Sequence, residues 1–147
     1  MPIQRINIPH AKARGEWAEL RFMTRAAELS LRVTKPWGDN APYDFAIESA
    51  GQFLRIQVKC TQSRSGNSYR CSLTANHILY RPDQIDFIAA YVIPADTWYI
   101  LPIAIIEGHP EIQLSPHRKT AKHAKYKEAW HLAKTLTCLL VAAVRHV

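Results

Sequence analysis

Asp44, Gln57 and Lys59 carry side chains that are costly to bury and useful for chemistry, and all three fall in the stretch Tyr43 to Thr61. This stretch reads as two β-strands joined by the turn Ser49-Ala50-Gly51-Gln52. Side chains alternate along a strand, so Asp44, Ala46 and Glu48 share one face while Phe45 and Ile47 share the other. On the second strand Leu54, Ile56, Val58 and Cys60 point one way and Arg55, Gln57 and Lys59 the other. A carboxylate, an amide oxygen and an ammonium can therefore converge at one end of a hairpin. Such groups inside a sheet need a partner or a metal ion. One reading is an Asp44–Lys59 ion pair on a solvated face, which is common and weak. The other is metal-assisted hydrolysis of a phosphodiester. In that reading Asp44, the Gln57 side-chain oxygen and the Val58 carbonyl offer hard oxygen ligands to Mg²⁺. The ion lowers the pKa of its water and draws charge from the phosphate. Lys59 stabilises the charge that develops, or orients and deprotonates the attacking water.

The elements that must position these groups follow from periodicity. Apolar residues at helical spacing, among them Trp17, Leu20, Ala27 and Leu31, predict a first helix from about Ala11 to Leu31. Leu31 to Thr34 reads as a short strand, and the turn formers Pro36 to Pro42 follow it. After the hairpin comes a polar loop, Thr61 to Ser68, and a strand, Tyr69 to Leu73. Phe87 to Ile93 and Trp98 to Leu101 are rich in β-branched and aromatic residues and read as two more strands, with a turn at Pro94-Ala95-Asp96. A polar, basic region runs from His109 to Lys127, and Tyr126 to Leu136 reads as a helix. Trp98, Tyr99 and Trp130 are expected in the core. The order predicts one mixed α/β or α+β domain, residues 1–147, around one sheet.

Composition restricts the partner. Nineteen Lys and Arg against twelve Asp and Glu give a net charge of +7, which favours a polyanion, nucleic acid ahead of a membrane surface. Lys122, Lys125 and Lys127, with Arg118 and Lys119 in the same run, suit backbone phosphates. Arg64, Asn67 and Arg70 lie just past the second strand of the hairpin, where they can reach base edges of double-stranded DNA. The three cysteines, Cys60, Cys71 and Cys138, fit no paired framework, and no secretion signal opens the chain, so reduced thiols in a cytoplasm are expected. Cys60 and Cys71 sit among apolar strand residues and make poor nucleophiles. His117 and His123 lack partners at zinc spacing. The run from Ile85 to Ile106 is interrupted by Asp86, Pro94, Asp96 and Pro102, which suits strands and excludes a membrane span. Cys138 to Val144 is wholly apolar and reads as a buried terminal element or a subunit contact.

Asp, a spacer, and then acid-x-Lys is the signature of the PD-(D/E)XK nucleases, and Asp44 followed thirteen positions later by Gln57-Val58-Lys59 resembles it. Gly15-Glu16-Trp17-Ala18-Glu19 looks like the G-x-x-A-E stretch that opens the first helix in the Holliday-junction-resolvase-like branch of that superfamily. Gln in place of the acid, with Pro42-Tyr43-Asp44-Phe45 ahead of it, is similar to the Q-V-K variant of group I intron-associated PD-(D/E)XK homing endonucleases. The resemblance covers residues 11–73 well. Beyond Leu73 it rests on element order and on Tyr126-Lys127-Glu128-Ala129-Trp130. It implies a restriction-endonuclease-like core, a central mixed β-sheet flanked by helices. It also implies a Mg²⁺-dependent DNA endonuclease in which Mn²⁺ can substitute. Glu19, with Glu16 one turn earlier as the weaker match, would join Asp44, Gln57 and Val58 at the metal, and Lys59 would assist the chemistry. Cutting both strands needs two such sites, so a homo-oligomer, dimer or tetramer, is expected. Junction resolution, host-genome restriction and DNA binding without cleavage are the alternative roles on this core.

Overall fold

The computed structural model describes residues 6–134. It opens with helix α1, Ala11–Glu28, shorter than its apolar stripe predicts. The cause is local. Ser30 takes a left-handed φ of 59°, and the amides of Ser30 and Leu31 turn back to the carbonyls of Ala27 and Ala26. That is a Schellman ending with Ser where Gly is usual, and it releases Leu31 into the core.

Five strands form the central sheet in the order β1-β2-β3-β8-β9. They are β1, Arg32–Thr34; β2, Phe45–Ser49; β3, Gln52–Thr61; β8, Phe87–Val92; and β9, Thr97–Pro102. The first three pair antiparallel, β3 and β8 run parallel, and β8 and β9 are antiparallel, so the sheet is mixed, as expected. The β2–β3 register sets Phe45 opposite Ile56 and Ile47 opposite Leu54. Phe45, Ile47, Leu54, Ile56 and Val58 therefore share one face, against which α1 packs Ala18, Phe22 and Ala26. Phe22 stacks on Phe45 at 5.2 Å, and Trp98 and Trp130 close the cluster.

The other face is not covered as the sequence reading expected. The connection between the parallel strands β3 and β8 contains no helix. It holds β4, Arg64–Ser65; β5, Ser68–Ser72; β6, Thr74–Ala75; and β7, Ile78–Leu79. The supposed polar loop Thr61 to Ser68 is thus the β4–β5 hairpin, turning at Gly66-Asn67. The basic region also contains an unforeseen strand, β10, Glu111–Leu114, which pairs with β5 to complete a second sheet ordered β10-β5-β4. Tyr69, Cys71, Ile112 and Leu114 from this sheet pack on Ile88, Ala90, Val92, Tyr99 and Leu101 of the central one. The one-turn helix α2, Ile103–Ile106, adds Ile106. The single expected sheet is therefore two packed layers of strands with α1 outside.

The last helix is also displaced. A 3-10 turn occupies Ala124–Tyr126, Lys127 forms an isolated bridge to Tyr99, and Glu128 has a φ of 50°. Helical residues begin at 131. The reason lies in Glu128. Its amide donates to the Trp98 carbonyl, while its carboxylate accepts from the Trp98 amide at 3.0 Å and the Trp130 indole at 2.8 Å. These bonds protect the edge strand β9 and win over helix propensity at Tyr126. Trp98, Tyr99 and Trp130 are core, as expected. Cys138 to Val144 lies outside the described residues.

Phe22 carries the α1 contact, so Phe22→Ala should cost about 3–5 kcal/mol of unfolding free energy. Denaturant unfolding followed by circular dichroism checks this. An unchanged midpoint would show that α1 does not hold the sheet.

Candidate active site

The strand register that buries Phe45 and Ile56 places Asp44 on the opposite face, one step beyond that pair. Its amide donates to the Ile56 carbonyl at 2.9 Å, extending the ladder by one bond. The carboxylate then faces β3. Asp44 Oδ2 accepts the Val58 amide at 2.8 Å and Gln57 Nε2 at 2.8 Å. Gln57 Nε2 also reaches the Val58 carbonyl at 3.3 Å. The partial positive charge of this amide thus lies between two oxygens, a carboxylate and a carbonyl. Turning the amide over would present a third oxygen to the same point.

Lys59 projects from the same face of β3. Its Nζ donates to the Thr74 carbonyl at 2.6 Å and lies 5.3 Å from the centre of the Tyr80 ring. The simple surface ion pair between Asp44 and Lys59 is absent from the described contacts, since each head group has other partners. Their charges still interact. Burial lowers the Lys59 pKa, and the nearby Cys71 and Asp44 partly offset that. Asp44 is pushed up to about 6, chiefly by burial. The Val58 amide opposes the shift, the Glu19 charge adds to it, and Lys59 and Lys35 oppose it. A carboxyl desolvated and repelled by a second carboxylate in this way gains from a cation.

Glu19 comes from α1. Ala18 is buried against the sheet, so its neighbour Glu19 sits on the helix flank, close enough to repel Asp44. Lys35 neutralises it with an Nζ–Oε1 distance of 3.3 Å and lies 5.0 Å from the Phe45 ring. Glu16, one turn earlier, is exposed. Among the described residues no three His, Cys, Asp or Glu side chains converge as a metal cluster. A cation here would draw on Asp44 and Glu19 together with the Gln57 amide oxygen and the Val58 carbonyl. Those donors are all oxygen, which fits a hard divalent ion.

Three site residues went unnoticed in the sequence. Lys35 follows β1, and only the β1–β2 pairing brings it to Glu19. Thr74 acts through its carbonyl, which no residue type reveals. Tyr80 forms the wall beside Lys59, and its pKa is pushed up to about 12 by burial and by the Asp44 charge. Cys60 and Cys71 make poor nucleophiles: burial raises the Cys60 thiol and pushes Cys71 up to about 12.

The basic residues divide into two sets. Arg64, Asn67 and Arg70 are exposed on the β4–β5 hairpin, with Arg64 5.8 Å from the Tyr69 ring. Arg118, Lys119, Lys122 and Lys125 are exposed on the segment after β10. Lys127 is exposed as well and donates to the Pro116 carbonyl at 2.8 Å. Arg118 and Lys122 line a groove of about 520 Å³ with Ile112, His109 and His123, apart from Asp44 and Lys59. No described helix is long and apolar enough to cross a membrane.

Comparison with known proteins agrees with this geometry. No curated protein matches. Among solved structures the chain is similar to that described as a bacterial homing endonuclease, I-Ssp6803I, with a TM-score of 0.78 and 27% identity, covering 92% of this chain and 99% of that one. The family model described as PD-(D/E)XK endonuclease matches residues 9–133, which include Glu19, Asp44, Gln57 and Lys59. With the sheet, the helix and the paired strands all in place, the chain belongs to the PD-(D/E)XK endonuclease family.

Proposed function

We propose that this endonuclease hydrolyses phosphodiester bonds of double-stranded DNA with Mg²⁺ bound by Asp44, Glu19, Gln57 and Val58, and that its role is of the homing type. The Gln57 amide nitrogen, within 3.3 Å of both the Asp44 carboxylate and the Val58 carbonyl, carries this reading. Similarity to a bacterial homing endonuclease supports the role. The +7 charge supports a polyanionic substrate. When bound, the divalent ion supplies charge neutralisation at the phosphate and a more acidic water.

The chain's own groups do the rest. Lys59 holds its ammonium beside Asp44, where it stabilises charge developing on the phosphate. Its lowered pKa also lets it hand on a proton more readily than a solvated lysine. Asp44 is fixed by the Val58 amide, so it needs little reorganisation to accept a cation. Arg118, Lys119, Lys122, Lys125 and Lys127 contact backbone phosphates, and Arg64, Asn67 and Arg70 approach base edges. Each chain offers one catalytic site, so cutting both strands requires a homo-oligomer.

A plasmid nicking assay with Mg²⁺ or Mn²⁺ tests the activity. Lys59→Ala should lower the cleavage rate by about 10²-fold or more, the loss typical of one transition-state charge contact, with DNA binding retained. Cleavage unaffected by the substitution would remove Lys59 from the chemistry. Wild-type binding without any cleavage would leave a DNA-binding protein that has lost catalysis through Gln57.

The raised Asp44 pKa has a stability consequence. The folded protein binds a proton here more tightly than the unfolded chain, so this stabilisation is fully present below pH 3.8 and is lost as pH rises through about 6. In the absence of divalent metal, Asp44→Asn should therefore raise stability at pH 7–8 by about 1–3 kcal/mol while abolishing cleavage. Thermal unfolding of both proteins at pH 4 and pH 8 checks this, and the gain should vanish at the lower pH. Destabilisation at pH 8 would contradict it.

A further inference from the structure

The hairpin β6–β7 was not foreseen in the sequence and has no part in either hydrophobic cluster beyond its root. Its turn is Asn76-His77, with φ of 49° and 66°. Both central residues are left-handed, as a two-residue primed turn demands, yet neither is Gly. Asn76 and His77 are exposed, Ile78 is 71% exposed and Leu79 is 39% exposed. An isolated apolar side chain on a protein surface is ordinary. An apolar residue on an exposed hairpin with two left-handed turn residues, rooted beside the Lys59 ammonium, is not.

The root is the point of interest. The Thr74 carbonyl, where the hairpin begins, accepts the Lys59 ammonium at 2.6 Å, and the next residue after β7 is Tyr80, whose ring lies against the same ammonium. Ser72 steadies the base through a 3.3 Å contact between its hydroxyl and that of Thr74. Two residues per strand carry the turn roughly 7 Å beyond Thr74. A phosphate brought to Lys59 belongs to a duplex whose minor groove is about 6 Å wide and major groove about 12 Å wide. A hairpin of that reach, rooted at Lys59, can meet the same duplex within a base pair or two of the reacting phosphate. Its side chains suit a groove floor. None carries a fixed charge, Asn76 and His77 offer donors and acceptors to base edges, and Ile78 offers an apolar contact to a sugar or a thymine methyl.

We propose that the hairpin Thr74–Leu79 enters a groove of the DNA beside the scissile phosphate, with His77 and Ile78 as specificity-determining residues there. This rests on the DNA endonuclease reading above. A second copy of this chain is the competing occupant. The direct link between hairpin root and Lys59 favours DNA, because a copy of the chain seated on Ile78 would obstruct the approach of substrate to that lysine.

The test is cleavage of a randomised duplex library with Mg²⁺, followed by sequencing of the cut ends. It compares wild type with His77→Gly, which accepts a φ of 66° without strain, and with Ile78→Ser. Thermal midpoints confirm that both variants fold. His77→Gly should flatten base preference at the pairs flanking the cut by roughly fivefold or more, the low end of one base-edge contact, and leave distant positions unchanged. Ile78→Ser should also weaken base preference at those pairs and lower kcat/KM, without changing the salt dependence of binding. Unaltered preference in both variants would overturn the proposal. So would dissociation of Ile78→Ser into smaller species by light scattering, which would assign the hairpin to subunit contact. The same library selected by binding with Ca²⁺ scores the hairpin without cleavage. An uncut library therefore counts against the catalytic reading alone, and a flattened binding preference still supports the hairpin.

Discussion

The pairing of β2 with β3 in one register is the constraint on which the site depends. Phe45 opposite Ile56 buries an aromatic and a branched side chain against α1. The same register leaves Asp44, Gln57 and Lys59 on the other face. A slip of β3 by one residue would drive Gln57 and Lys59 into the hydrophobic layer, away from Asp44, and expose Ile56 and Val58. The core therefore enforces the chemistry: the free energy that excludes Phe45 and Phe22 from water also sets where the carboxylate points.

The second layer determines what the carboxylate experiences. A helix in the β3–β8 connection would have laid its side chains over Lys59. Here that connection supplies two hairpins, and the ammonium meets a backbone carbonyl and a tyrosine ring at their edge. Asp44 is half-buried beneath this edge, near Glu19, and loses solvation without gaining a direct cationic partner. Gln57 tempers the cost. An acid at that position would face Asp44 at hydrogen-bond distance and repel it. The amide donates instead, which stabilises the metal-free protein and leaves one negative charge fewer for a cation. In the proposed metal site, stability and metal affinity would pull in opposite directions at residue 57.

Much of this was readable from the chain alone. Alternation set the faces of the β2–β3 hairpin, and the spacing from Asp44 to Lys59 marked the candidate site. The apolar stripe located α1 but misplaced its end, because the Schellman turn at Ser30 uses a residue with no special helix-ending signature. β4, β6 and β7 are two residues each, too short for alternation to mark them, and the pairing of β10 is set by a distant partner, Gln113 with Arg70. Local pattern does not encode such pairs. Lys35 and Thr74 reached the site through strand pairing and a main-chain carbonyl, neither of which residue type discloses. At Tyr126 the helical pattern was real, and the Glu128 bonds to β9 and Trp130 overrode it.

Diffraction from crystals soaked in Mn²⁺ tests the central claim most directly, through the anomalous signal of the ion. The account predicts a peak in contact with the Asp44 and Glu19 carboxylates, the Gln57 side-chain oxygen and the Val58 carbonyl, with the Gln57 amide turned over from its metal-free orientation. A fully soaked crystal with no peak there, or with the ion held elsewhere and Gln57 still donating to Asp44, would contradict it.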